Sequence, residues 1–304
     1  MKNIITRQAI ESRKRWIRRF QSADRNFVAE SNRIQAELQK EVEQSGLSVL
    51  LNHLRLCGDI PEQFGHDSSE EKLYSKYTDI LLAETFRFLG LKSHVLTERA
   101  DAADVEVFAK RYAFIADAKV FRMSRTAKNA KDFKIQSMDG WKRGKTYAMV
   151  VCPVCQLPNT SSQIYSQAIT RNVCVFSYSH LAVMAAFSLS KRASESEKFL
   201  ERIFNVPLEL NPSKNANDYW SAVNRTMLGF SKEIPALWQI EKQAAEESVQ
   251  IAKEAALTFL AEERERFIRM SHDEAIVELI KSHKIDNKIK TIRSVTCNDI
   301  LTVR

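Results

Sequence analysis

Asp104-Val-Glu-Val-Phe-Ala-Lys-Arg-Tyr-Ala-Phe-Ile-Ala-Asp-Ala-Lys119 is the stretch from which both the fold and the chemistry are read. Val, Phe, Tyr and Ile dominate two runs, 105–109 and 112–121, and Lys110-Arg111 breaks them apart, which predicts two short β-strands joined as a hairpin. Symmetry about that Lys-Arg pair sets residues whose numbers sum to 221 opposite each other, so Asp104 faces Asp117. Directly opposed side chains have Cβ atoms about 4.5 to 5.5 Å apart, close enough for two carboxylates to hold one cation. The strand period of two puts Asp117, Lys119 and Glu106 on one face and turns Ala118 to the other. Two or three carboxylates with one lysine form an oxygen-ligand site suited to Mg²⁺, the lysine meeting water or phosphate. An exposed salt-bridge ladder is the competing reading of the same residues, because D-x-K is a common tripeptide.

Composition sets the frame around this hairpin. The chain has 304 residues, 46 Lys and Arg against 38 Asp and Glu, and a net charge of +8. Such a balance favours a polyanionic partner, with nucleic acid the leading candidate. Only 7 glycines and 6 prolines occur, so long helices with short connections are expected. The expected organisation is an α/β protein with a mixed sheet flanked by helices: a helical N-terminal region 1–58, a catalytic core 59–190 and a helical C-terminal region 191–304. The longest uncharged apolar run, Leu181 to Phe187, is too short to span a membrane, and the amino end lacks a signal-peptide core, so a cytoplasmic protein is expected. Five cysteines, an odd number, fit a reduced compartment. Cys152-Pro-Val-Cys155 resembles half of a zinc site, but no second ligand pair accompanies it, and apolar packing is the expectation.

Helical periodicity predicts one or two helices over 7–45, stopped at Gly46, and a short helix over Leu47 to Leu56. Ser68-Ser-Glu-Glu71 matches a capping box and opens a helix to about Leu89, ended by Gly90. Capping alone explains Glu71; as a helix acid beside the hairpin it is also a secondary candidate for the metal site. Thr146 to Val154 reads as a strand central to the sheet, Val173 to Ser177 as another buried strand, and His180 to Ser188 as a core helix. After Ser194 the pattern is almost entirely helical, with its longest piece over Ser231 to Met270 and a second capping box at Ser271 to Glu274.

Arg122, Arg125, Lys128, Lys131 and Lys134 recur at every third position, interleaved with Ser124, Thr126 and Asn129. In helical geometry such a strip winds around the element, as a strip tracking a groove would, and these side chains suit phosphates and base edges. A solvated helix is the alternative. For the earlier cluster Arg13, Lys14, Arg15, Arg18 and Arg19, a solvated face is preferred.

Ser124-Arg-Thr-Ala-Lys-Asn-Ala-Lys-Asp-Phe-Lys134 directly after Ala116-Asp-Ala-Lys119, together with Glu71-Lys-Leu-Tyr-Ser-Lys76, resembles the HindIII-type restriction endonucleases. Weaker similarity runs from about Asp59 through Ser162-Gln-Ile164, Phe176-Ser177 and His180-Leu-Ala182 to Asn298-Asp299. The resemblance implies the PD-(D/E)xK nuclease fold, with Asp104 and Asp117 as the two acids, Lys119 as the lysine and Ala103 where the signature has proline. Glu71 matches a helix glutamate that some of that superfamily use near the metal. It implies Mg²⁺ held by Asp104, Asp117 and the Ala118 carbonyl, and contacts to double-stranded DNA from Arg122 through Lys134. It further implies cleavage of the palindrome AAGCTT after the first A, a homodimer, a bacterial cytoplasmic setting, and an adenine methyltransferase acting on the same site. A less specific nuclease of the same fold and a non-catalytic DNA-binding protein are the rivals.

Overall fold

The computed structural model describes residues 3–24, 26–96, 102–125, 129–189 and 191–294. Thr126, Lys128 and Asn298-Asp299 lie outside the described residues. Three helices open the chain, α1 (Arg7–Gln21), α2 (Phe27–Ser45) and α3 (Leu47–Leu56), followed by the long α4 (Ser69–Phe88). Their limits follow local chemistry. The Thr6, Asn26 and Ser68 side chains each accept the N–H three residues on, and Gly46 ends α2 at φ +62°.

After α4 come β1 (Lys92–Val95), β2 (Val105–Phe108) and β3 (Ala113–Ala118), then α5 (Ile135–Trp141), β4 (Tyr147–Cys152), α6 (Gln163–Arg171), β5 (Val173–Ser177) and α7 (Tyr178–Ser188). The strands form one mixed sheet in the order β1-β2-β3-β4-β5, antiparallel across the first three and parallel from β3 to β5. The predicted α/β class with a mixed sheet flanked by helices is therefore the observed one. β3 holds the middle of the sheet, and β4, expected there, is its neighbour. Every residue of β4 and β5 is buried, as parallel strands covered on both faces must be. At the turn from α4 into β1, Gly90 adopts φ +86° and a Cβ there would come within 2.6 Å of the Ala193 Cβ, so only glycine fits.

Helices make up the rest of the described residues: α8 (Ala193–Glu209), α9 (Ala216–Leu228), α10 (Ile234–Ile268), α11 (His272–Ser282) and α12 (Ile285–Ser294). The chain divides into two compact units, Met1–Ala256 and Leu257–Arg304. Within the first, one continuous core runs from Trp16 and Phe20 through α4 and the sheet to Ile234. Partly buried Arg13 pairs with buried Asp59 at 2.6 Å and ties α1 to the corner after α3. Arg15 and Arg19 pair with Glu41 and Glu37, and Lys14 with Glu11, so the N-terminal basic cluster is largely matched by acids. None of the helices with every residue described is long and apolar enough to cross a membrane.

Candidate active site

The hairpin register is the predicted one. Val105 pairs with Ala116 and Glu106 with Ile115, and one step further along the same ladder Asp104 comes opposite Asp117. β4 holds β3 on its other side, and Lys119 continues that pairing by donating its N–H to the Val151 carbonyl at 2.7 Å. Asp117 and Lys119 thus leave the rigid middle of the sheet on one face, and the Lys119 Nζ lies 2.6 Å from Asp117 Oδ2.

A third carboxylate joins them from α4. Asp79, Asp104 and Asp117 each place an oxygen within 4.8 Å of the other two. Asp79 and Asp117 are buried and Asp104 is partly so. Both Asp117 oxygens are fully buried, and the cation close to them is the Lys119 ammonium, 2.6 Å from Oδ2. A buried carboxylate with so little hydrogen bonding is the condition expected of a cation ligand. Burial, then the Asp104 and Asp117 charges, push the Asp79 carboxyl well above the carboxylate range. Burial, followed by Asp117, raises Asp104 from 3.8 to about 6. Burial opposes the charge on Lys119, but Asp117, Asp104 and Asp79 outweigh it and hold its pKa above the ordinary value. Three acids and one ammonium in a dry corner make a site suited to a hard divalent cation.

Glu71 stands elsewhere. Its carboxylate accepts the Asp67 N–H at 2.6 Å, pairs with Arg122 at 3.1 Å and groups with the exposed His66 and Asp67. Glu106, although on the same strand face, is paired with Lys145 at 2.6 Å. The Asp79 position was missed from sequence. Its signal is a lone acid inside the apolar run Tyr77-Thr-Asp-Ile-Leu-Leu-Ala83, where an unmatched carboxylate has no structural reason to be.

The basic strip is not one helix. After Ala118 the chain turns through Arg122 and Ser124, forms a 3₁₀ turn over Ala130–Phe133 and passes through a left-handed Lys134 into α5. Arg122 donates to the Pro61, Glu62 and Gly65 carbonyls, and Ser124 gives its N–H and hydroxyl to the Glu62 carboxylate, both at 2.8 Å. Arg125 pairs with Asp132 and lies over the Phe121 ring. Asn129, Lys131 and Lys134 are exposed.

A model of the HindIII restriction endonuclease family matches residues 14–296. The type II restriction enzyme HindIII of Haemophilus influenzae is 35% identical over 250 residues, 79% of this chain and 81% of that protein. With a family match through nearly the whole chain, on an α/β fold that gathers three aspartates and a lysine at its centre, the chain belongs to the HindIII restriction endonuclease family.

Proposed function

We propose that this type II restriction endonuclease cuts double-stranded DNA at the palindrome AAGCTT, after the first A, by Mg²⁺-dependent hydrolysis that leaves 5′-phosphate and 3′-hydroxyl ends. The observation that carries the chemistry is the cluster of Asp79, Asp104 and Asp117 oxygens within 4.8 Å, next to Lys119. Asp104, Asp117 and the Ala118 carbonyl, with Asp79 beside them, would hold Mg²⁺, which when bound would supply positive charge against the scissile phosphate. The three carboxylates keep Lys119 protonated, so its ammonium orients the attacking water or a phosphate oxygen through donated hydrogen bonds. The dry walls of the corner strengthen each of these interactions.

Exposed Asn129, Lys131 and Lys134 supply amide and ammonium groups of the kind that meet base edges and phosphates, while Arg122, Ser124 and Arg125 hold the segment in place. A palindrome presents two equivalent half-sites, which suits a homodimer with one active site for each strand. In its host such an enzyme is accompanied by an adenine methyltransferase acting on the same sequence.

Digestion of a plasmid of known sequence with Mg²⁺, followed by mapping of the ends, tests the reading. Discrete fragments ending at AAGCTT are expected from the wild type. Asp117→Ala and Lys119→Ala should bind the plasmid without cutting it. A smear points instead to an unspecific nuclease, and cleavage by both variants removes the residue assignment.

A further inference from the structure

The second unit carries an apolar surface that nothing in its own helices covers. Between Leu257 and Ser294 no side chain is buried, although α12 sets Ile285, Ile289 and Ile292 at i, i+4 and i+7 and α11 sets Ile276, Leu279 and Ile280 at i, i+3 and i+4. Of the eighteen exposed large apolar side chains among the described residues, eleven fall between Leu257 and Ile292. Eleven side chains of this size, each about half exposed, present on the order of 1,000 Å² within one short stretch of chain, against the few hundred Å² typical of a single apolar patch on a lone soluble protein. That is also the scale of about 800 Å² which each partner contributes to a standard stable interface.

We infer that this surface is the contact between two copies of the chain, α12 of one lying across the end of α10 and α11 of the other. The inference rests on the homodimer proposed above and names where it is held. Charge selects the occupant. From Leu257 to Ile280 six acids stand against three bases, whereas from Lys281 to Ser294 five bases stand against one acid. A two-fold axis brings each basic α12 against the acidic α10–α11 stretch of its partner, so both contacts are complementary at once. DNA is the poorer occupant, because the acidic half of the same surface would repel it.

Light scattering and sedimentation of the full chain test the placement. The wild type is expected at twice the 34.9 kDa chain mass. Ile285→Glu with Ile289→Glu changes exposed positions, so helix content by circular dichroism should hold while the dissociation constant rises roughly a hundredfold, about tenfold for each anchor lost. Lys288→Glu with Lys290→Glu should weaken the pair at least tenfold, and adding Glu262→Lys with Glu263→Lys to the same chain should restore it. Unchanged double mass in the isoleucine variant, or no rescue by the charge exchange, overturns the inference and leaves the homodimer standing. A wild-type chain of single mass, alone and on DNA, overturns the homodimer itself and this contact with it.

Discussion

Replacing Asp104 with asparagine should make the metal-free protein more stable while it removes a proposed metal ligand. In the folded chain, burial and the Asp117 charge raise the Asp104 carboxyl from 3.8 to about 6. The unfolded chain has no such neighbours, so the folded state holds this proton more tightly. The associated stability is complete below pH 3.8 and is lost as pH rises through about 6. Above that range the ionised carboxylate opposes folding by roughly 3 kcal/mol, the free-energy equivalent of the difference between the two values. Asparagine cannot ionise. At pH 8 in EDTA the Asp104→Asn protein should therefore melt higher by several degrees, at about 2 °C or more per kcal/mol in a chain of this size and with some gain lost to weaker attraction for Lys119 and Lys76. At pH 5 the advantage should fall to about half. Taking the difference between variant and wild type at each pH cancels other groups, such as His180, which burial holds neutral down to about 4. Added Mg²⁺ should raise the wild-type midpoint at pH 8 and move the variant little. Equal or lower stability of the variant at pH 8, or an advantage that does not change with pH, refutes the argument.

Glu71 and Asp79 separate the two candidate helix acids: Asp79→Asn should slow cleavage by about a hundredfold or more, whereas Glu71→Gln should stay within about tenfold of the wild type in initial rates over a Mg²⁺ titration. The reverse order would return the helix acid to Glu71. Gly90→Ala should lower stability by roughly 2 to 4 kcal/mol, from the left-handed backbone and the overlap with Ala193, and an unchanged urea midpoint would contradict this.

What the sequence made legible was what short-range geometry decides. A hairpin with a two-residue break has its register set by the strand period, and the pairs Val105–Ala116 and Glu106–Ile115 fall on the expected sum. Capping chemistry fixed helix starts at Ser68 and Ser271, the latter with both reciprocal bonds present. Asp79 was not legible in this way, because no period links a helix to a hairpin 25 residues later; only packing of α4 on β2 and β3 brings them together. Glu71 and Asp79 differ by eight residues, about 12 Å along a helix axis, so one of them at the cluster excludes the other. The reading of the basic strip as one helical element failed for a related reason. Its regular spacing describes a helix only if the backbone stays helical, and Lys134 is left-handed while Arg122 and Ser124 are bound to the 61–65 turn.

That bound turn explains why the carboxylates remain where their charges oppose one another. Gln156 donates to the Gly58 and Phe121 carbonyls at 2.9 and 2.7 Å and accepts the Phe121 N–H at 2.9 Å, which locks the exit of β3 to the corner beneath α4. Asp117 sits one residue inside the end of the β3–β4 ladder, and Asp104 just outside the β1–β2 ladder, where its carbonyl accepts the Leu96 N–H at 2.8 Å. On a loop, three like charges would relax by moving apart. Fixed on a sheet and a packed helix, they can relax only by taking up a proton or a cation, and at neutral pH a divalent ion is the stronger response. The arrangement that makes the metal-free corner unfavourable is thus the same one that would draw a cation to the strand end where Lys119 stands, so affinity for the ion and instability without it should change together in every variant of these three aspartates.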